Sequence, residues 1–219
     1  VAPSWQDGPP LSEEQARAVN AVAARGQQFS VSLVHGVTGS GKTEVYLRLI
    51  ANTLAEGKQA LVLVPEIGLT PQLAQRLSQR FNARIALLHS GLAEGARSRA
   101  WEDARSGTAH IIVGTRSAVF TSLARPGLIV VDEEHDISFK QQEGFRYSAR
   151  DIAVMNVFAQ AMPGREIQSI TETSRDVGLP SLDIPMPALA SDDEATKVIP
   201  APPEGEMNAS LTIVLLNTR

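Results

Sequence analysis

Eight consecutive residues, Gly36-Val37-Thr38-Gly39-Ser40-Gly41-Lys42-Thr43, have the types and spacing to hold a polyphosphate. They fit the pattern G-x-x-x-x-G-K-[ST], in which glycines let the backbone curl so that successive N–H groups converge on an anion. Gly36, Thr38, Gly39, Ser40 and Gly41 form the cradle. Lys42 adds a point charge for the β- and γ-phosphates, and the Thr43 hydroxyl is placed to ligate Mg²⁺. A second cluster, Asp132-Glu133-Glu134-His135, supplies carboxylates. An acid at the end of an apolar strand downstream of a phosphate loop can hold Mg²⁺, and Asp132 has that position. The next carboxylate, Glu133, can orient and deprotonate a water for in-line attack on a γ-phosphate, with His135 as a coupling residue rather than the base. Taken alone, the first stretch reads as a glycine-rich turn and the second as a solvated acidic one. Their presence in one chain favours nucleotide chemistry.

The elements that must position these groups are legible on either side. Phe29–Val34 is β-branched and apolar and reads as a buried strand leading into the loop; Glu44–Ala51 carries apolar residues at helical spacing behind it. Ser12-Glu13-Glu14-Gln15 is a capping box opening a helix over 13–24. The helix after the loop ends near Glu56, with Gly57 beyond its last turn. Strands follow at 59–64, 84–88, 109–113 and 127–131. Between them come helices from Thr70-Pro71, read as a cap followed by proline, to about Phe81, and from Glu94 to Arg105. Strands apolar on both faces, alternating with helices, predict an α/β fold with a mostly parallel sheet covered on both sides. Ligands in such folds gather at the carboxyl ends of strands. The phosphate loop, Pro65-Glu66, His89-Ser90, Gly114-Thr115-Arg116 and Asp132-Glu133 all fall there.

Composition bounds the rest. The 219 residues are 43% hydrophobic and 20% charged, ordinary for a globular chain with a sizeable core. No apolar run approaches membrane-spanning length and no basic-then-apolar leader opens the chain, so no membrane partner is expected and the cytoplasm is favoured. Cysteine is absent, which excludes disulfides and thiolate metal sites, including zinc, from this chain. The net charge is −4, but residues 171–210 hold eight acids and two bases, leaving 16 acids and 18 bases elsewhere. A phosphate-binding face is therefore permitted. Residues 1–10 are polar and Pro/Gly-rich and read as a linker. Residues 163–210, acidic and proline-rich, read as linker or irregular chain, and 211–219 as a strand.

Between residues 137 and 151 three aromatics, Phe139, Phe145 and Tyr147, interleave with Lys140, Arg146 and Arg150 in a chain only 5% aromatic. Such a loop can stack bases and bind phosphates, or it can be pinned to the core by its rings.

Five runs occur together and in order: Gly36–Tyr46, Val64–Gln72, Leu88–Leu92, Gly114–Ala118 and Asp132–Asp136. With Lys140-Gln141-Gln142-Glu143-Gly144 they closely resemble the first (N-terminal) motor lobe of the primosomal replication-restart DNA helicases of superfamily 2, over roughly Leu11 to Val154. The resemblance implies a RecA-like P-loop NTPase lobe spanning 11–162, ATP and Mg²⁺ as cofactors, and a family zinc site lying outside this chain. It implies that Gln15 belongs to the adenine-recognition element. It implies that Pro65, Glu66, Gly68, Thr70, Thr115 and Arg116 lie along a single-stranded DNA track. Residues 138–151, with Phe139, Lys140, Phe145, Arg146 and Tyr147, would be the family's aromatic-rich loop, which senses DNA and reports to the ATPase site. The implied activity is that of a 3′-to-5′ helicase in replication restart, coupling ATP hydrolysis to translocation. Its implied partners are single-stranded and forked DNA and replication-restart proteins.

Departures from the pattern are specific. A family Trp in the loop is Phe145 here, and a family His is Ser148. The Ser-Ala-Thr-Pro motif that follows in the family is missing, and 211–219 is faintly similar to the strand that opens the family's second lobe. An isolated lobe should hydrolyse ATP feebly, since an arginine from a second lobe can be worth about 10³–10⁵ in rate. The alternative is a non-hydrolysing DNA-binding or docking module at replication forks. A small-molecule kinase is disfavoured, since no acceptor pocket or lid is readable.

Overall fold

The computed structural model describes residues 2–25, 30–37, 39–142, 145–161, 196–198 and 212–217. In chain order these form β1 (Ser4–Trp5), α1 (Glu13–Ala23), β2 (Ser30–His35), α2 (Lys42–Ala55), β3 (Gln59–Leu63), α3 (Leu69–Arg80), β4 (Phe81–Asn82), β5 (Ile85–Leu88) and α4 (Glu94–Arg105). They continue with β6 (Ile111–Gly114), β7 (Pro126–Val131), β8 (Lys140–Gln141), β9 (Tyr147–Ser148), α5 (Ala149–Ala161), β10 (Thr196–Val198) and β11 (Thr212–Asn217). Short 3-10 turns cover Arg116–Phe120 and Ile137–Phe139.

Seven strands make one sheet in the order β10-β2-β11-β7-β3-β6-β5. Only the edge strand β10 runs antiparallel; the other pairings are parallel. Side-chain alternation divides the strands between two cores. Ala60, Val62 and Val64, with Leu128 and Val130, join residues of α1, α2 and α3 on one face. Leu61 and Leu63, with Ile129 and Val131, join Ala100 and Ala104 of α4 and Ala149 and Ala153 of α5 on the other. The α/β architecture with helices on both faces is thus observed. The parallel pairing puts the carboxyl ends of β2, β3, β5, β6 and β7 on one rim.

Local signals fix several boundaries. Ser12 accepts from the Gln15 N–H while the Gln15 side chain accepts from the Ser12 N–H, so the capping box forms as read. Gly57 takes the left-handed φ of 69° after α2. Three expectations need correction. Residues 1–10 are not a free linker among those described: β1 pairs with β4, and Trp5 packs against the first core. Thr70 does not cap α3. The amides of Leu69 and Thr70 already bond back to Glu66 and Ile67, so the helix starts two residues earlier, at Leu69 rather than Pro71, and Thr70 is fully buried inside its first turn. The stretch read as irregular contains β10; its other residues lie outside those described. Residues 212–217, read as similar to the strand that opens a second lobe, use their hydrogen bonds inside this sheet, parallel to β2 on one side and β7 on the other. The buried Val214 sits in the first core.

Candidate nucleotide site and its rim

The phosphate loop leaves β2 and enters α2. Gly39 and Gly41 have φ of 79° and 81°, which only glycine adopts without strain. A side chain at Gly41 would also collide with Gln15. No side chain caps α2, so the first turn of a 14-residue helix presents uncapped N–H groups and its positive dipole end to the loop. The Lys42 ammonium folds back and donates to the carbonyls of Gly36 (2.7 Å) and Val37 (3.1 Å). A phosphate in the loop would compete with those carbonyls for the same charge. Gly36 is half-buried and Ser40 exposed. Thr38 lies outside the described residues. Gln15, besides closing its capping box, donates from Nε2 to the Ser40 carbonyl (3.1 Å), so α1 is tied to the loop itself.

Asp132 follows β7, its amide donating to the Leu63 carbonyl (2.9 Å). Alternation after Val131 sends its side chain toward the face that α2 covers. Burial pushes its carboxyl pKa up to about 6; the neighbouring Glu133 charge adds to this, while the Glu133 amide and the Lys42 charge oppose it. A half-buried anion of this kind is a fit for a cation, and Thr43 is the second residue of α2. Tyr46 links the two. It lies one turn beyond Thr43, is 2% exposed, and its phenol pKa is pushed up by burial and by Asp132, with the Thr43 hydroxyl opposing. Nothing in the sequence assigns Tyr46 a role beyond its spacing from Thr43.

Glu133 adopts φ of 53°, alone among described non-glycine residues in the left-handed region. That conformation costs about 1–2 kcal/mol and is typical of functional turns. The Asp136 amide closes the turn by donating to the Glu133 carbonyl (2.8 Å). The exposed His135 places Nε2 3.8 Å from Glu133 Oε2. Glu134 instead accepts from Arg150 at 3.0 Å, joining the acidic turn to α5.

Along the rim, Glu66 is exposed, Pro65 half-buried, and Gly68 is the residue that precedes α3. The structure does not bring Thr70 to this surface, since it is fully buried. Thr115 precedes the 3-10 turn after β6, and Arg116 donates to the carbonyls of Ser138 (3.3 Å) and Lys140 (3.4 Å). Arg116 thereby fastens the 137–148 segment to the rim. Within that segment, β8 and β9 pair as a short hairpin. Phe145 is 64% exposed, and Lys140 and Arg146 are exposed beside it. Phe139 does not join them: its ring is 1% exposed and packs in the second core, so it anchors the segment and cannot stack a base. Tyr147 meets Phe120 edge-on at 4.9 Å and lies 6.1 Å from Phe145. Phe120 was not singled out from the sequence, although it ends the turn begun by Arg116 and is 43% exposed. A groove of about 450 Å³ runs beside the hairpin, lined by Lys140, Gln141, Gln142, Arg146, Tyr147 and Ser148. No helix among the described residues is long and apolar enough to cross a membrane.

A family model described as DEAD/DEAH box helicase matches residues 12–170. The chain is 57% identical over 127 residues to the replication restart protein PriA of Haemophilus influenzae, covering 58% of this chain and 17% of that protein. It is 42% identical over 156 residues to the PriA of Bacillus subtilis, covering 70% of this chain and 19% of that one. The chain thus spans under a fifth of the length of these two relatives. Among solved structures, RecG bound to a three-way DNA junction aligns with a TM-score of 0.55 at 23% identity, over 65% of this chain and 20% of RecG. The Hef helicase domain of Pyrococcus furiosus aligns at 0.51 and 19% identity, over 94% of this chain and 32% of that one. At these identities the two structures establish the fold.

Proposed function

We propose, on the premise that this chain belongs to the DEAD/DEAH box helicase family, that it is the ATP-binding lobe of a DNA helicase acting in replication restart. In the full enzyme, hydrolysis would be coupled to 3′-to-5′ movement along single-stranded DNA. One observation supports the nucleotide reading most: Asp132, half-buried at the end of β7, feels the charge of Lys42, the first residue of a helix that no side chain caps. Lys42 and the loop amides would bind the β- and γ-phosphates, with Thr43 and Asp132 as the residues to hold Mg²⁺. When bound, the ion supplies charge neutralisation on phosphoryl oxygens. Glu133 would orient and accept a proton from the attacking water, with His135 beside it to relay the state of the site. Gln15 would reach the base of the nucleotide from α1.

The rim is proposed as the DNA track. Pro65, Glu66, Gly68 and Thr115 would line it, and Phe145, Tyr147, Lys140 and Arg146 would meet bases and phosphates at the hairpin. Arg116 would transmit contact there to the strand ends. Residues 11–162 would be the working lobe, with 212–217 completing its sheet. Forked DNA and other replication-restart proteins are proposed as partners of the full enzyme, and the cytoplasm as its location.

Calorimetry with Mg·ATP tests the reading. Wild type should bind and Lys42→Ala should lose at least about tenfold in affinity, the loss of a charge-assisted contact worth about 1.5–3 kcal/mol. Equal affinity would refute it. Anisotropy of labelled single strands should respond to Mg·ATP; indifference would favour a docking module that does not hydrolyse.

A further inference from the structure

Residues 4–10 are strapped onto the lobe beside the helix that begins at the phosphate loop. Ser4 and Trp5 pair with Phe81 and Asn82, and the Gln6 amide donates to the Arg80 carbonyl (2.9 Å). Arg48 of α2 then donates from Nη2 to the carbonyls of Gly8 (3.2 Å) and Pro9 (2.9 Å). The same Arg48 donates from Nε to Glu44 Oε1 (3.1 Å), and Arg80 donates to that oxygen from the other side (2.8 Å). The Arg80 and Glu44 side chains are only 12% and 15% exposed. Gly8 closes the arrangement, since any Cβ there would collide with both the Arg80 guanidinium and the Glu44 carboxylate.

Glu44 occupies the third position of α2, two residues past Lys42, in the first turn of a helix that no side chain caps; its own amide donates to the Gly41 carbonyl (2.9 Å). A carboxylate in a first helical turn is attracted to the same positive end that would receive phosphate. Here two guanidiniums hold it aside and balance its charge. With the strap displaced, Arg48 loses both carbonyl acceptors and its hold on Glu44 slackens. A carboxylate held by Arg80 with Arg48 loosened would be less restrained from competing with phosphate for the helix end.

We propose that residues 4–10 act through Arg48 and Glu44 as a positioning device for the phosphate loop, so that docking of the strap and nucleotide affinity are coupled. This rests on the nucleotide-binding reading above. Gly8, Arg48 and Arg80 are positioning residues; none would touch the nucleotide. Linkage requires the coupling to run both ways: what loosens the strap weakens nucleotide binding, and nucleotide tightens the strap.

The test is Mg²⁺-dependent binding of a fluorescent ATP analogue to the full chain. Gly8→Val should weaken affinity about fivefold or more, the lower end of measured coupling between sites. Adding Glu44→Gln to Gly8→Val should restore most of that loss, which a general loss of structure would not allow. In a Trp101→Phe background Trp5 is the remaining tryptophan, and its emission should shift when Mg·ATP saturates the site. Wild-type affinity in Gly8→Val, no rescue by Glu44→Gln, or a silent Trp5 would each overturn the coupling. If Gly8→Val does not fold, the Trp5 emission decides the matter alone. Wild type binding while Lys42→Ala fails, with Gly8→Val unchanged, removes this inference and leaves the nucleotide reading standing. Equal binding by wild type and Lys42→Ala removes both.

Discussion

Replacing Asp132 by Asn should make the metal-free protein more stable and, if Asp132 holds Mg²⁺ as proposed, should weaken stabilisation by Mg·ATP. The Asp132 pKa rises from 3.8 to about 6 on folding, first through burial and then through the Glu133 charge. A carboxyl whose folded pKa lies above its unfolded value favours the folded state only when protonated. The folded state therefore loses stability as pH rises from about 4 to about 6, and above that the cost is constant. Two pKa units at about 1.36 kcal/mol each give about 3 kcal/mol, or about 2 kcal/mol once partial solvent exposure is allowed for. Asn cannot ionise, so Asp132→Asn should raise the melting temperature in EDTA at pH 7.5 by roughly 4–8 °C. Thermal melts followed by circular dichroism at pH 7.5 and pH 4.5 check this, with the gain at pH 4.5 much the smaller. Mg·ATP should raise the wild-type melting temperature and leave that of the variant nearly unmoved. A variant less stable than wild type at pH 7.5, or an equal gain at both pH values, would refute the reasoning.

Phe139→Ala should cost about 3–5 kcal/mol in urea unfolding, as loss of a buried ring does, whereas Phe145→Ala should leave the melt unchanged and weaken single-stranded DNA binding in anisotropy. Glu133→Gly should stabilise the fold by about 1 kcal/mol by relieving the left-handed backbone, and should abolish any ATP turnover measured by phosphate release. Tyr46→Phe should weaken Mg²⁺-dependent nucleotide affinity by about fivefold, the worth of one hydrogen bond of about 1 kcal/mol, with no matching loss of melting temperature; unchanged affinity would remove Tyr46 from the site.

What could be read before the structure was what neighbouring residues decide among themselves. The Ser12–Gln15 box, the break at Gly57 and the span of α4 from Glu94 to Arg105 are short-range matters, and each was legible. The phosphate loop was too, because its glycines and its flanking strand and helix are contiguous. Thr70 misled because a cap and a buried first-turn residue look alike in sequence; the choice was made by the turn at Glu66 and Ile67. Phe139 and Phe145 have the same side chain, and only distant packing against Ala149 and Ala153 buries one of them. The strap at residues 4–10 rests on two-residue pairing with β4 and on Arg48, more than thirty positions away, so composition alone made it look unattached. Likewise the left-handed Glu133 follows from the turn after β7, which no residue type announced.

The insertion of β11 between β2 and β7 bears on how the lobe is made. The strand carrying the phosphate loop and the strand carrying Asp132 are not hydrogen-bonded to each other; each is bonded to β11. On a ribosome, both β2 and β7 emerge long before the piece that fits between them. Until residues 212–217 arrive, two parallel edges stand open, and closing them requires contacts of high sequence separation, which form slowly and leave the nascent chain exposed to mispairing. The strand ends that carry residues 36–43 and Asp132 are therefore joined only after residues 212–217 are made, and chaperone protection would matter most in that interval.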